Sequence, residues 1–261
     1  MDQKGTYIDG KVLCAGIAKA VSRSEEPLLC LLRQNQMTLV AVSGRRLVVS
    51  QETRLSRSVV GNIAFVIPPL VAQMLACETI CSQTAVELVV HGQDVVVRLI
   101  DALGKYELRW KSDFATFQGP EAFAQMVKPP RTVVGVPHLR FSDAAHQAVA
   151  KLGYIHADQQ IHPNKLAILI DLNLGRLLVD GEEIAATEHR RFYFDPRLVI
   201  RALEFLKAET LRVGITSVPG DARRGYLSLI SRDGEWTVHC ALLSIGKDTQ
   251  RLYPLSSSRN R

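Results

Sequence analysis

His156 and His162 flank Asp158 in a polar stretch, so two imidazoles and a carboxylate lie close together along the chain. These side chains are common ligands of divalent metals, but their spacing matches no standard metal site. A second run, Asp180–Glu183, offers carboxylates for acid–base chemistry, yet Gly181 within it is typical of a turn. We interpret both stretches as solvated loops, and we expect neither a metal nor a cofactor.

The sequence also lacks the common catalytic motifs. It contains no Gly-x-x-x-x-Gly-Lys-Ser/Thr loop for nucleotide phosphates, no Gly-x-Ser-x-Gly elbow and no His-Glu-x-x-His pair. No nucleophile is accompanied by a recognisable base. The sequence therefore predicts that the protein is not an enzyme, and an enzyme whose site is assembled from scattered residues stays open as an alternative.

Length and charge limit the kinds of protein that this chain can be. The chain has 261 residues, enough for two domains that each bury a core, and no apolar run approaches the roughly 20 residues of a membrane span. Its net charge of +6 favours a polyanionic partner. The five cysteines are odd in number and fit no disulfide framework, and the N-terminus lacks the layout of a signal peptide. We therefore expect a cytoplasmic protein.

One pattern, a helix followed by a strand–turn–strand, occurs four times, and the second half of the chain echoes the first. The segment Phe65–Pro69 opens one amphipathic stretch and Phe192–Pro196 opens another. Such self-similarity at a long period indicates duplicated units. It predicts an α+β protein with an N-terminal domain over residues 1–117, a connector over 118–136 and a C-terminal domain over 137–261.

Within this pattern, helices are predicted over residues 11–22, 70–81, 143–153 and 196–207. Asp195 is the expected N-cap of the last helix, because Pro196 suits the first helical position. A strand is predicted over His138–Phe141, with Ser142 as the N-cap of the third helix.

With this arrangement the chain resembles the DNA sliding clamps, the ring-shaped processivity factors of replicative DNA polymerases. The resemblance covers nearly the whole chain and is most specific over Phe65–Trp110, over Ser112–Phe114 just after it, and over Phe192–Ile245. It implies two tandem clamp domains, each a duplicated βαβββ unit with two helices packed on antiparallel sheet.

In sliding clamps the helices line the central hole, so the resemblance implies that basic residues on the helices face the DNA. Lysine and arginine displace condensed counterions from duplex DNA without reading bases, which permits sliding. The candidate DNA-binding residues are Lys11, Lys19, Arg23, Lys151, Arg197, Arg201 and Lys207.

The resemblance also implies a hydrophobic pocket that recruits DNA polymerase or other clamp-binding proteins. It would lie beside the connector and the C-terminal tail. The candidate partner-binding residues are Val42, Leu47, Phe123, Met126, Val127, Leu252, Tyr253 and Leu255.

Clamp rings contain six domains, so a two-domain chain implies a homotrimer closed by head-to-tail pairing of edge strands. Residues 106–110 and 239–243 are both plausible edge strands, and the sequence does not choose between them. The leading hypothesis is a processivity factor that encircles duplex DNA and tethers partner proteins. The alternative is a clamp-fold adaptor that does not encircle DNA.

Overall fold

The computed structural model describes residues 6–21, 26–43, 47–76, 85–101, 104–117, 130, 133–155, 168–173, 176–179, 182–185, 190–218 and 221–244. The chain divides into two compact units. The first contains residues 1–128 together with 232–239, and the second contains residues 129–231 together with 240–261. The domain boundaries drawn from the sequence stay a prediction.

The order of elements repeats a strand, a helix and three strands four times, which confirms the predicted α+β class. In the first half the elements are β1 (Thr6–Asp9), α1 (Gly10–Val21), β2 (Leu28–Arg33), β3 (Gln36–Ser43), β4 (Leu47–Arg54), β5 (Asn62–Ile67), α2 (Pro69–Leu75), β6 (Ala85–His91), β7 (Asp94–Asp101) and β8 (Gly104–Lys111). A short 3-10 turn follows at Ala115–Phe117. In the second half they are β9 (Val134–Pro137), α3 (His138–Ile155), β10 (Ile168–Asn173), β11 (Arg176–Val179), β12 (Glu182–Ala185), β13 (Arg190–Phe194), α4 (Pro196–Glu204), β14 (Thr210–Val218), β15 (Asp221–Asp233) and β16 (Trp236–Leu243).

The repeats exchange their first strands. In the first half β1 pairs with β6 of the following repeat, and β5 pairs back with β2. The second half does the same, since β9 pairs with β14 and β13 pairs with β10. All of these pairings are antiparallel. Each half is therefore an interlocked pair of repeats, and neither repeat has a complete sheet without the other.

The core of the first unit lies between its helices and sheets. On α1, Leu13, Ile17 and Ala20 are buried at the spacing of one helical face. The helix begins after Asp9, whose carboxylate accepts from the backbone N–H of Lys11 at 2.9 Å. Trp236 of β16 completes this core and is only 7% exposed.

The predicted strand at His138–Phe141 is wrong, because these residues form the first turn of α3. The strand lies just before them, at Val134–Pro137, where it pairs with β14. Phe141 and Ala145 are both fully buried, and their separation of four residues places them on one helical face. Ser142 consequently lies inside the helix and does not cap it.

The fourth helix begins as predicted. Asp195 is its N-cap and accepts from the backbone N–H of Arg197 at 3.0 Å, with Pro196 at the first helical position. The helix ends at Glu204, shortly before the predicted residue 207. The second helix begins at Pro69, as its proline pair indicated, and the part predicted beyond residue 76 lies outside the described residues.

One expectation about the cysteines is wrong. Cys14 on α1 is disulfide-bonded. Cys30 and Cys240 are free and buried, and burial raises the pKa of the Cys30 thiol. An odd number of cysteines therefore did not exclude a disulfide.

Candidate nucleic-acid interface

The fourth helix carries the clearest basic face. One side of α4 is buried, and it is formed by Val199, Ala202 and Leu203. The opposite side of the helix therefore faces solvent. Arg197 and Arg201 are both exposed, and their separation of four residues stacks them one turn apart on that side. Lys207 is also exposed, just after the helix. Two guanidinium groups on one exposed helical face are suited to binding a polyanion.

Arg197 is held by the residue that caps its own helix. Its Nη2 lies 3.1 Å from Asp195 Oδ2, and its Nε lies 3.2 Å from Asp195 Oδ1. The carboxylate thus binds both the helix N-terminus and the guanidinium. A phosphate that approaches Arg197 has to compete with this ion pair.

The first helix contributes two of the predicted residues. Lys11 is exposed in the first turn. Lys19 is two turns further along, and its Nζ donates to Asp233 Oδ2 at 3.0 Å. The side chains of Lys19 and Asp233 keep about a third of their surface exposed, at 34% and 32% respectively. Lys19 is thus placed near solvent but bound to a carboxylate, and Arg23 lies outside the described residues.

The third helix places one predicted residue and one that the sequence reasoning missed. Lys151 lies in the C-terminal half of α3. Arg140 is exposed in its first turn, eleven residues earlier, which is close to three helical turns. The two positions therefore share one side of α3. Arg140 is absent from the predicted set because the sequence pattern places residues 138–141 in a strand, where a basic residue would not lie on a helix.

The second helix differs from the other three because it has no charged residue. Its sequence is Pro-Leu-Val-Ala-Gln-Met-Leu, and Leu70, Gln73 and Met74 are exposed. Leu70 is 69% exposed and Met74 is 42% exposed, while Ala72 and Leu75 are buried. Any basic lining formed by the helices is interrupted at α2.

Two of the eight predicted partner-binding residues lie among the described residues. Val42 is half-buried near the end of β3. Leu47 opens β4 and is fully buried, with its Cα paired to that of Ser43 across the hairpin. The other six are outside the described residues: Phe123, Met126, Val127, Leu252, Tyr253 and Leu255.

The sheet orders separate the two candidate edge strands. Residues 106–110 belong to β8, which is the terminal strand of the sheet β1-β6-β7-β8. Residues 239–243 belong to β16, which has a neighbour on each side in its sheet, β4 and β15. β16 is therefore an inner strand, and of the two candidates only β8 is an edge.

No group of metal-ligating side chains occurs within the described ranges, while His156, Asp158 and His162 lie outside them. None of the described helices has the length and apolar character to cross a membrane.

Comparisons with known proteins identify the fold. Neither a protein-family profile nor a curated protein sequence matches the chain. Among solved structures, the beta subunit of DNA polymerase III from Pseudomonas aeruginosa matches with a TM-score of 0.61 at 12% identity, covering 97% of this chain and 68% of that one. The DNA polymerase sliding clamp from Bacillus subtilis matches with a TM-score of 0.58 at 14% identity, covering 94% of this chain and 64% of that one. This chain thus spans about two thirds of the length of the bacterial proteins.

A shorter clamp matches over nearly its whole length. A. fulgidus PCNA, in a structure with the C-terminal region of FEN-1 bound, matches with a TM-score of 0.51 at 11% identity, covering 92% of this chain and 98% of that one. The fold is therefore the α+β fold of the DNA sliding clamps. This chain and A. fulgidus PCNA thus match over nearly the whole length of both.

Proposed function

We propose that this protein is a sliding-clamp-like DNA-binding processivity factor without catalytic activity. Three copies form a ring around duplex DNA, in which each chain supplies two clamp domains with the boundaries predicted from the sequence. The ring tethers a DNA polymerase or other clamp-binding proteins to the duplex. It acts in the cytoplasm.

The observation that carries this proposal is the combination of the clamp fold with the exposed basic face of α4. Arg197 and Arg201 lie one turn apart on that face, and Lys207 follows it. Lys11 on α1 and Arg140 on α3 are also exposed. Contacts of this kind bind the phosphate backbone regardless of sequence, which a protein that moves along DNA requires.

The partner surface is proposed on the resemblance to sliding clamps. Val42 lies half-buried at the β3–β4 hairpin and would contribute to its wall in the first unit, whereas Leu47 is fully buried and would support that wall from the core. The predicted connector and tail residues would complete it. An apolar pocket of this kind binds a short peptide segment of a partner protein.

The DNA-binding proposal is tested with the double variant R197E/R201E. Equilibrium binding to a labelled duplex is measured between about 50 and 200 mM salt. Each phosphate contact contributes about 0.9 to the slope of log K against log salt, so we expect the magnitude of the slope to fall by about 2. A matched control, R54E/R57E, changes the same charge at exposed positions on β4 and just after it.

Two results would overturn this part of the proposal. The first is an unchanged slope for R197E/R201E. The second is an equal loss for R54E/R57E, because the effect would then follow total charge and not the helix face. Extending the substitution to Lys19 and Lys151 should abolish retention on circular DNA while the assembly stays intact.

A second candidate function is an adaptor that keeps the clamp fold but does not encircle DNA. The uncharged exposed face of α2 favours it, as does the pairing of Lys19 with Asp233, because both reduce the positive charge that the helices offer. An adaptor is expected to be a monomer or a dimer. The solution mass therefore separates it from the ring.

A further inference from the structure

The turn between β15 and β16 belongs to the first unit. Residues 232–239, which we call the hairpin tip, are grouped with residues 1–128, whereas the rest of both strands is grouped with the second unit. The chain reverses at Gly234, whose φ of +62° favours glycine. A short segment from the C-terminal half of the sequence therefore completes the first unit.

Two buried side chains hold the hairpin tip in the first unit. The indole of Trp236 packs against α1 at Gly16, where the helix has no side chain. On β4, Thr53 is buried and its Oγ1 donates to the carbonyl oxygen of Glu235 at 3.4 Å. Because Trp236 and Thr53 are both removed from solvent, a ligand outside the protein does not reach either contact.

A third contact of the hairpin tip, the ion pair of Lys19 with Asp233, lies at the surface. Lys19 Nζ donates to Asp233 Oδ2 at 3.0 Å, and both side chains are partly exposed. Lys19 follows Lys11 and Ala15 at intervals of four residues, and those two residues are exposed. Residues at this spacing share one side of a helix, so Lys19 lies on the solvent-facing side of α1. An anion in solvent can therefore reach its ammonium group.

The carboxylate of Asp233 and a DNA phosphate would compete for the Lys19 ammonium. Both are anions whose oxygens accept charge-assisted hydrogen bonds. An ion pair as exposed as this one is weak and is screened by salt, so a phosphate can displace the carboxylate. The hairpin tip would then keep its two buried contacts and lose the one at the surface.

We propose that Lys19 exchanges between Asp233 and a phosphate of duplex DNA, so that DNA binding loosens the hairpin tip from α1. This inference rests on the proposed function and adds a response of the protein to DNA. Because coupling between two equilibria is reciprocal, the attached tip weakens DNA binding by the same factor by which DNA loosens the tip. A lysine shared in this way holds each phosphate only weakly, which suits movement along the duplex.

The test follows amide hydrogen exchange of the hairpin tip by mass spectrometry. The full-length protein is measured at about 50 mM salt, without DNA and with saturating duplex DNA. We expect the tip to exchange about two- to fivefold faster when DNA is bound, which is the effect of losing one exposed ion pair. The inner strand β7 is the internal reference and should exchange equally in both states.

Three variants assign the change to the ion pair. Lys19→Gln and Asp233→Asn should make the hairpin tip exchange faster than in the wild type without DNA, and adding DNA should change it little further. Glu235→Gln is the matched control, because it removes a carboxylate from an exposed position of the same tip, and it should behave like the wild type. Circular dichroism confirms that each variant is folded.

A hairpin tip that exchanges at the same rate or more slowly in the DNA-bound wild type would overturn the proposal while leaving DNA binding intact. Wild-type exchange rates in Lys19→Gln and Asp233→Asn without DNA would overturn it too, since the ion pair would then not hold the tip. A wild-type protein that does not bind duplex DNA at all would instead contradict the proposed function, and this inference with it.

Discussion

At the scale of single residues, Gly16 on α1 leaves no room for a side chain between the helix and the side chains of Leu39 and Trp236. A Cβ there would lie 2.9 Å from Leu39 Cδ1 and would overlap the indole ring of Trp236. We expect Gly16→Ala to lower the free energy of unfolding by about 1 to 3 kcal/mol, because overpacking outweighs the gain of about 0.5 to 1 kcal/mol in helix propensity. Denaturant unfolding measures the difference.

Two further variants test that explanation. Ala15→Ser changes an exposed position on the same helix and should leave stability nearly unchanged. In a Trp236→Phe background the cost of Gly16→Ala should shrink, because the smaller ring removes the indole atoms that a new Cβ would meet. If Gly16→Ala lowers the free energy of unfolding equally in both backgrounds, Trp236 does not limit the space at residue 16.

Asp233 is predicted to restrain DNA binding through Lys19. Replacing it by Asn removes the carboxylate that accepts from Lys19 Nζ, so the ammonium becomes available to phosphate. We expect Asp233→Asn to tighten binding to duplex DNA and to increase its salt dependence. Asp94→Asn removes the same charge at an exposed position, the first residue of β7, and should have a smaller effect. Equal effects of the two variants would contradict a specific role for Lys19.

The two ion pairs show which residue interactions a sequence reveals. Asp195 and Arg197 are two positions apart, and the Asp-Pro pair already predicts the cap that brings them together. Lys19 and Asp233 are 214 positions apart, so no local pattern could predict that the lysine is bound. The sequence shows which residues are charged, but it does not show which distant residue each of them binds in the fold.

At the scale of elements, the repeating βαβββ order was predictable because each repeat has its own turn and cap signals. The exchange of β1 and β5 between repeats was not, since antiparallel pairing of distant strands leaves no local signal. The error at residues 138–141 has a local cause. Phe141 is buried in a helical pair with Ala145, but in four residues that pattern is indistinguishable from strand alternation.

The charged face of β8 predicts an acid-sensitive contribution to stability. The guanidinium of Arg109, and then that of Arg98, hold the pKa of Glu107 below its usual range. A lowered pKa in the folded state means that the contribution is present above the unfolded pKa and is lost as the pH falls through the folded value. Glu107→Gln should therefore melt below the wild type near neutral pH, and the difference should shrink as the pH falls below the ordinary glutamate pKa of about 4.3 and vanish once the pH has passed the lowered value of the folded state.

Thermal melts of both proteins from neutral to acid pH measure this difference. Because Glu107 is exposed, added salt should reduce it. A difference that stays constant down to the most acid pH would mean that the carboxylate charge does not contribute.

At the scale of the whole molecule, the sequence predicts the fold better than it predicts the oligomeric state. Four βαβββ repeats predicted the clamp fold, which the solved structures share at 10–14% identity. Assembly depends on strand edges, and only the sheet orders separate the terminal β8 from the inner β16. A single chain carries two clamp domains, so encircling DNA requires further copies.

The most direct test of the central claim is the solution mass of the unmodified protein. It is measured by light scattering over a range of concentrations, with and without duplex DNA. The proposed ring predicts a species of three chains of 28.9 kDa each, approached as the concentration rises. A protein that remains a single chain at every concentration, with DNA present or absent, would contradict the ring and favour the adaptor.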